Sequence, residues 1–235
     1  MGGRTLERPP VRQERAAKSR PEAARGPGAA RPAIGLMGGT FDPIHVGHLA
    51  IAEEARESLA LDRILFVPAG EPPHKLRAEV TPVRHRVAMV EQAIADNPAF
   101  ELSRVEVDRP GPSYTVDTVE GLSEDADITL IMSAETFAEL RSWHEPERIF
   151  DAARVAVVPR DGYPAPDPEW LSTAFPGREG RVAYLEGPLI GVSSTGIRDR
   201  VAAGRSIRYL VPDAVGAYIA ANHLYRATAR RTAAT

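Results

Sequence analysis

The sequence predicts an α/β fold in which a parallel sheet carries helices on both faces and ends in a small C-terminal helical cap. Three observations support it: six short apolar runs alternate with helical stretches, a glycine-rich turn joins the first run to the first helix, and after residue 190 only helical patterns remain. The strand signals are Ile34–Met37, Arg63–Val67, Phe100–Ser103, Ile128–Met132, Val155–Val158 and Val182–Leu185, each apolar or β-branched and bounded by Gly, Pro or charge. Helical patterns fill Val46–Leu59, Pro82–Asp96, Val116–Leu122 and Ala134–Leu140. Pro82 suits a helix start, with Thr81 as its N-cap. Ser194–Ala203 and Pro212–Asn222 form the cap. Alternation of this kind is Rossmann-like, and ligands in such sheets sit beyond the carboxyl ends of the strands.

Composition narrows the class. At 235 residues the chain suits one domain with a modest C-terminal addition, and an apolar content of 43% supplies a sizeable core. Without cysteine, disulfides and thiolate metal sites are excluded; this fits a cytoplasmic protein. No stretch reaches the ~18 apolar residues of a membrane span. Residues 1–32 hold eight Lys/Arg against three Glu, a charge of +5 that leaves −8 on the rest of a chain whose total is −3. This Arg-, Ala-, Pro- and Gly-rich stretch has no apolar periodicity and no secretory h-region, so it is expected to be a disordered basic tail. With an acidic body, neither a nucleic-acid surface nor a membrane contact is expected. Residues 226–235 read as a second tail, and a homo-oligomer is left open.

The most informative segment is Gly38-Gly39-Thr40-Phe41-Asp42-Pro43-Ile44-His45-Val46-Gly47-His48. It is neither the dinucleotide fingerprint G-x-G-x-x-G nor the P-loop. Small residues let backbone approach phosphates, and the helix beyond supplies free N–H groups and a partial positive charge. His45 and His48, three apart at that helix start, share one face and can point at one anion. Taken alone, a pair of histidines at a turn would more often cap or pack.

Other segments carry weaker signals. Phe66–Lys75 leaves the second strand as a proline-rich loop, and Lys75 either reaches an anion across the cleft or is simply solvated. Gly191-Val192-Ser193-Ser194-Thr195-Gly196-Ile197-Arg198 places three hydroxyls at a helix start and an arginine one turn in; one hydroxyl suffices as an N-cap, and the remainder suits a polyphosphate. In Pro110–Thr118 a rigid turn opens a helix, where Ser113 or Thr115 can act as cap. Trp143, in the polar setting Arg141–Glu145, is either core or an aromatic face for a ligand.

Taken together, these segments resemble bacterial nicotinate-nucleotide adenylyltransferase, of the nucleotidylyltransferase superfamily. The likeness runs from about Ile34 to Tyr225 and rests on the H-x-G-H form at His45–His48 within Gly38–His48, then Pro68–Lys75, Pro110–Thr118, Trp143, Ser193–Arg198 and the ending Ile207–Pro212. The resemblance implies a Rossmann-like nucleotidylyltransferase domain over 33–190 and a helical subdomain over 191–225 that completes the ATP site. It implies transfer of the adenylyl group of ATP to nicotinate mononucleotide in NAD biosynthesis, with Mg²⁺ brought by ATP and no protein metal site. His45, His48, Lys75 and Arg198 would be catalytic. Gly38, Gly39, Thr40, Phe41, Ser133, Glu135, Ser193, Ser194 and Thr195 would join the histidines and Arg198 around ATP. Asp42, Lys75, Tyr114, Thr115 and Trp143 would bind the nicotinate nucleotide. One departure stands out: Ser133-Ala134-Glu135 replaces the family's usual Gly-Ala-Asp. It leaves open a sister enzyme acting on nicotinamide mononucleotide or phosphopantetheine, and a nucleotide-binding protein without turnover.

Overall fold

A computed structural model describes residues 30–72, 80–160, 162–163 and 168–226. Residues 1–29 of the basic tail, Lys75 and residues 227–235 lie outside the described residues. The body of the fold runs from Arg31. Arg31 donates to the carbonyls of Ser123 and Ala126 and pairs with Asp127 at 3.5 Å, and the Pro32 carbonyl accepts from Asp127 N–H.

Six strands, β1 (Ala33–Gly39), β2 (Arg63–Pro68), β3 (Phe100–Leu102), β4 (Asp127–Ser133), β5 (Ala153–Val158) and β6 (Val182–Tyr184), form one sheet in the order β3-β2-β1-β4-β5-β6. Every pairing is parallel, with Leu36 of β1 opposite both Leu65 and Leu130. The helices are α1 (Val46–Ser58), α2 (Val83–Ile94), α3 (Val105–Asp108), α4 (Thr115–Ser123), α5 (Ala134–Ala138), α6 (Pro146–Ala152), α7 (Pro168–Ala174), α8 (Ser194–Ala202) and α9 (Asp213–Ala221).

The period-2 geometry of a strand sorts the core into two layers. Leu36, Leu65, Leu130, Met132, Val155 and Val157 face one way and pack with Val116 and Val119 of α4, Phe137 of α5, Ile149 and Phe150 of α6, and Leu171 of α7. Met37, Ile64, Phe66, Ile131, Ala156 and Val158 face the other way and pack with Ala52 and Ala55 of α1, Met89 and Val90 of α2, Ile197 of α8, and Val215 and Ile219 of α9. Strands buried on both sides read as continuous apolar runs, which is why their signals are strong. The two cap helices are therefore part of the second layer. Among the described residues, no helix is long and apolar enough to cross a membrane.

The strand order reverses between β1 and β4, so the chain leaves these neighbours in opposite directions and opens a crevice above their carboxyl ends. Details depart from the sequence reading. The N-cap of α2 is Pro82 rather than Thr81, whose N–H donates to the Asp42 carboxylate at 3.0 Å. The stretch expected as one helix to Leu140 breaks into α5 and a 3₁₀ turn at Leu140–Ser142. The helices α3, α6 and α7 were not anticipated. Of these α3 is only four residues long, whereas Pro146 at the first position of α6 is a usable start signal.

Close packing behind the crevice makes a sharp test. A Cβ added to Gly70 would lie 2.2 Å from the Glu106 carbonyl oxygen, whereas one added to Gly121 in α4 meets nothing within 4 Å. Gly70→Ala is expected to lower unfolding free energy by about 1–3 kcal/mol, and Gly121→Ala to raise it by up to ~1 kcal/mol. Urea unfolding of both variants checks this, and a neutral Gly70→Ala would contradict the described approach of the loop after β2 to α3.

Candidate functional site

The crevice is a cleft of about 670 Å³ at the β1/β4 switch point, walled by the Gly38–Thr40 turn, His45, His48, Tyr114, Thr115, Ser133, Trp143 and Arg160, among others. Its floor is apolar, with Leu36, Met37, Leu130 and Met132 from the central strands.

At one end stands the turn after β1. Phe41 is buried with φ of 49°, a left-handed conformation that costs an aromatic residue about 1–3 kcal/mol and persists only where the surroundings impose it. The Asp42–Pro43 bond is cis. His45 then caps α1, and its backbone N–H donates to His48 Nδ1 at 3.2 Å. The imidazoles stack with centroids 3.7 Å apart and 23° between planes, and the Phe41 ring meets His48 edge-on at 5.1 Å. Burial, reinforced by Arg160, lowers the His45 pKa to about 4. Burial, then His45 and Arg160, holds His48 well below the usual histidine range. Both are neutral at pH 7. Because His48 Nδ1 accepts a hydrogen bond, its proton resides on Nε2, which leaves an N–H donor for the cleft. His45 Nδ1 is buried without a hydrogen-bond partner among the described residues.

The opposite end is built by the turn Pro110–Tyr114 and α4. Tyr114 caps α4 in extended conformation, and its ring lies 4.3 Å from that of His144. Thr115 opens the helix and lines the cleft, and the first N–H groups of a helix have no partners within it. Trp143 follows the 3₁₀ turn and is part cleft wall, part core. Sequence reasoning treated these as alternatives, but the side chain serves both. Ser113, considered as a cap, instead accepts from Gly70 N–H at 2.9 Å and Glu71 N–H at 3.2 Å, tying the loop after β2 to this turn.

Between the two ends, Ser133 caps α5, accepting from Thr136 N–H at 3.2 Å. Glu135 pairs with Arg160 at 2.7 Å, and Arg160 stands in the cleft wall.

The remaining residues expected around ATP brace the turn from outside this cavity. Ser193 caps α8, Ser194 Oγ donates to the Pro43 carbonyl at 2.9 Å, and Arg198 donates to the Asp42 carbonyl at 2.8 Å and to Thr195 Oγ1 at 3.2 Å. Asp42, expected at the nicotinate nucleotide, is 4% exposed, and its carboxylate oxygens accept from Tyr225 OH and Thr81 N–H. Phe41 is packed beneath the turn rather than lining the cleft.

Four contributors escaped the sequence reading. Arg160 looked like any charge after a strand, and Arg86 like any helix arginine, yet Arg86 is 1% exposed. Tyr225 lay at the end of the recognisable chain. Glu106 is buried in the cleft wall with its pKa raised by burial, and accepts from Thr118 Oγ1 at 2.8 Å. Nothing local in Val105–Asp108 marked it.

A sequence model of the cytidylyltransferase-like family matches residues 36–200. A relative from Roseiflexus sp. (strain RS-1), named "Probable nicotinate-nucleotide adenylyltransferase", is 52% identical over 195 residues, covering 82% of this chain and 98% of its own. A relative of the same name from Thermus thermophilus is 45% identical over 199 residues, covering 82% and 99%. The solved Plasmodium falciparum nicotinic acid mononucleotide adenylyltransferase complexed with NaAD shares the fold, with a TM-score of 0.67 at 19% identity over 83% of this chain and 97% of that one. On these grounds the chain belongs to the cytidylyltransferase-like family and, within it, to the nicotinate-nucleotide adenylyltransferases.

Proposed function

We propose that the chain transfers the adenylyl group of ATP to nicotinate mononucleotide, yielding the deamido dinucleotide and pyrophosphate. The observation that carries this reading is the two-ended cleft: one wall offers neutral imidazole donors at a helix start, and the opposite wall offers a second helix start beside an indole face. A 5′-phosphate oxygen attacks the α-phosphorus, the bond to the β-phosphate oxygen breaks, and pyrophosphate leaves. The attacking phosphate is already ionised near pH 7, so the protein needs to position and neutralise rather than abstract a proton.

His48 Nε2–H donates to the α-phosphate oxygens as charge develops there, and His45 supports it from the adjoining ring. Arg160 adds a fixed positive charge on the same wall. Ser194, Thr195 and Arg198 hold the β- and γ-phosphates, with Lys75 as a further cation. The nicotinate carboxylate is received by the free N–H groups of α4 at Thr115, with Trp143 against the pyridine ring. Glu106 faces this end, and its raised pKa moves it toward the neutral form that repels a carboxylate less. Mg²⁺ would enter with the triphosphate, bridging its oxygens, as a hard cation that keeps much of its hydration.

Three outcomes are expected. With ATP and Mg²⁺, pyrophosphate release is fast with nicotinate mononucleotide and slow with nicotinamide mononucleotide and phosphopantetheine; a reversed preference would overturn the assignment of the α4 end. His48→Ala lowers kcat by more than about a hundredfold while thermal unfolding barely moves. The third is a pH effect. His45 titrates at about 4 in the fold and near ~6.5 unfolded, so its contribution is intact above the unfolded value and is lost as pH falls toward the folded one. Between pH 7 and 5 this removes roughly 2 kcal/mol, and His45→Gln should flatten the urea-unfolding profile by about that amount. Parallel profiles for both proteins would contradict a buried neutral imidazole.

A further inference from the structure

We propose that Tyr225 is a positioning residue for adenylyl transfer: through Asp42 it holds the turn that carries His45 and His48. The proposal rests on the reading of those histidines given above. Tyr225 lies beyond α9, 183 positions from Asp42, yet its hydroxyl donates to Asp42 Oδ1 at 2.6 Å. The other carboxylate oxygen accepts the Thr81 N–H at 3.0 Å. A carboxylate that is 4% exposed thus has both oxygens engaged.

The compensating charge is Arg86, which is 1% exposed. Its guanidinium donates to three carbonyls, Thr40 at 2.8 Å, Thr81 at 3.0 Å and Gly70 at 3.3 Å. The Thr81 peptide is therefore gripped on both sides, its N–H by Asp42 and its carbonyl by Arg86. The same turn is held again from α8, where Arg198 takes the Asp42 carbonyl and Ser194 the Pro43 carbonyl. The Thr40, Asp42 and Pro43 carbonyls are each captured by a side chain from elsewhere in the sequence, so the turn's shape is imposed from outside. Phe41, in its left-handed conformation at the centre, transmits that shape to the His48 ring it touches.

Asp42, Thr81, Arg86 and Tyr225 line no part of the cleft, so these four act on catalysis through the histidines. Removing one hydroxyl from Tyr225 leaves a buried carboxylate oxygen short of a donor, and the turn must shift to recover one. Small displacements of groups aimed at a transition state are costly in rate while ground-state binding survives.

Tyr225→Phe is expected to lower kcat roughly tenfold to a hundredfold, with the KM for ATP changed less than about threefold, and to shift or broaden the imidazole NMR signals of His45 and His48. Tyr218→Phe is the matched control. It removes a hydroxyl in α9 that contacts His85 Nδ1 at 2.9 Å and should leave kcat and the His45 and His48 signals unchanged. Should Tyr225→Phe fail to fold, Asp42→Asn decides, since it keeps the side-chain shape and an acceptor for Thr81 N–H while weakening the clasp. Its kcat should fall with the same movement of imidazole signals. Unmoved signals and kcat within twofold in the folded variant would overturn the proposal, even with a lowered melting temperature. If the wild-type chain turns over none of the substrates, the functional reading fails and the imidazole signals alone decide the clasp.

Discussion

The structure depends on one constraint: the backbone from Thr40 to Pro43 must cross from β1 to α1 in a shape it would not adopt unaided. The switch between β1 and β4 places this crossing at the mouth of the reversal in the sheet, where ligands of such folds enter. A phenylalanine with positive φ sits at its centre. Arg86, Arg198, Ser194, Thr81 and Tyr225 supply, from three other stretches of chain, the hydrogen bonds that hold it. Parallel strands deliver the segment and the two core layers make its platform rigid, but these side chains fix where the imidazoles stand.

Electrostatics completes the site. Two stacked histidines inside a partly apolar wall with an arginine nearby cannot both be cationic, and burial keeps both neutral. A neutral imidazole with its proton assigned by a local hydrogen bond is a directional donor, aimed where charge develops rather than binding every anion equally. Arg160 supplies the non-directional charge and is itself held by Glu135. Glu135 and Arg160 thus form an ion pair that joins the ends of β4 and β5.

Much of the fold was legible because the central strands are buried on both faces and announce themselves as apolar runs, and all six strands begin within two residues of their expected starts. The glycine-rich turn and H-x-G-H were legible for a local reason, since the chemistry needs small residues and a helix start in immediate succession. What stayed hidden depends on distance in sequence. Arg86 and Tyr225 resemble ordinary helical and terminal residues, and only the fold reveals that one is almost wholly buried and the other bonded to Asp42. Asp42 and Ser113 were legible as residues of interest but not in their roles. A short polar side chain in a loop looks the same whether it meets ligand or backbone, and here both meet backbone N–H groups.

The most direct measurement is a crystal structure of the full chain with the deamido dinucleotide bound. The account predicts the bridging phosphates within hydrogen-bond distance of His48 Nε2, the nicotinate carboxylate at the first N–H groups of α4 beside Thr115, and the pyridine ring against Trp143. A dinucleotide seated in the opposite direction, or with its phosphates away from the two imidazoles, would contradict it.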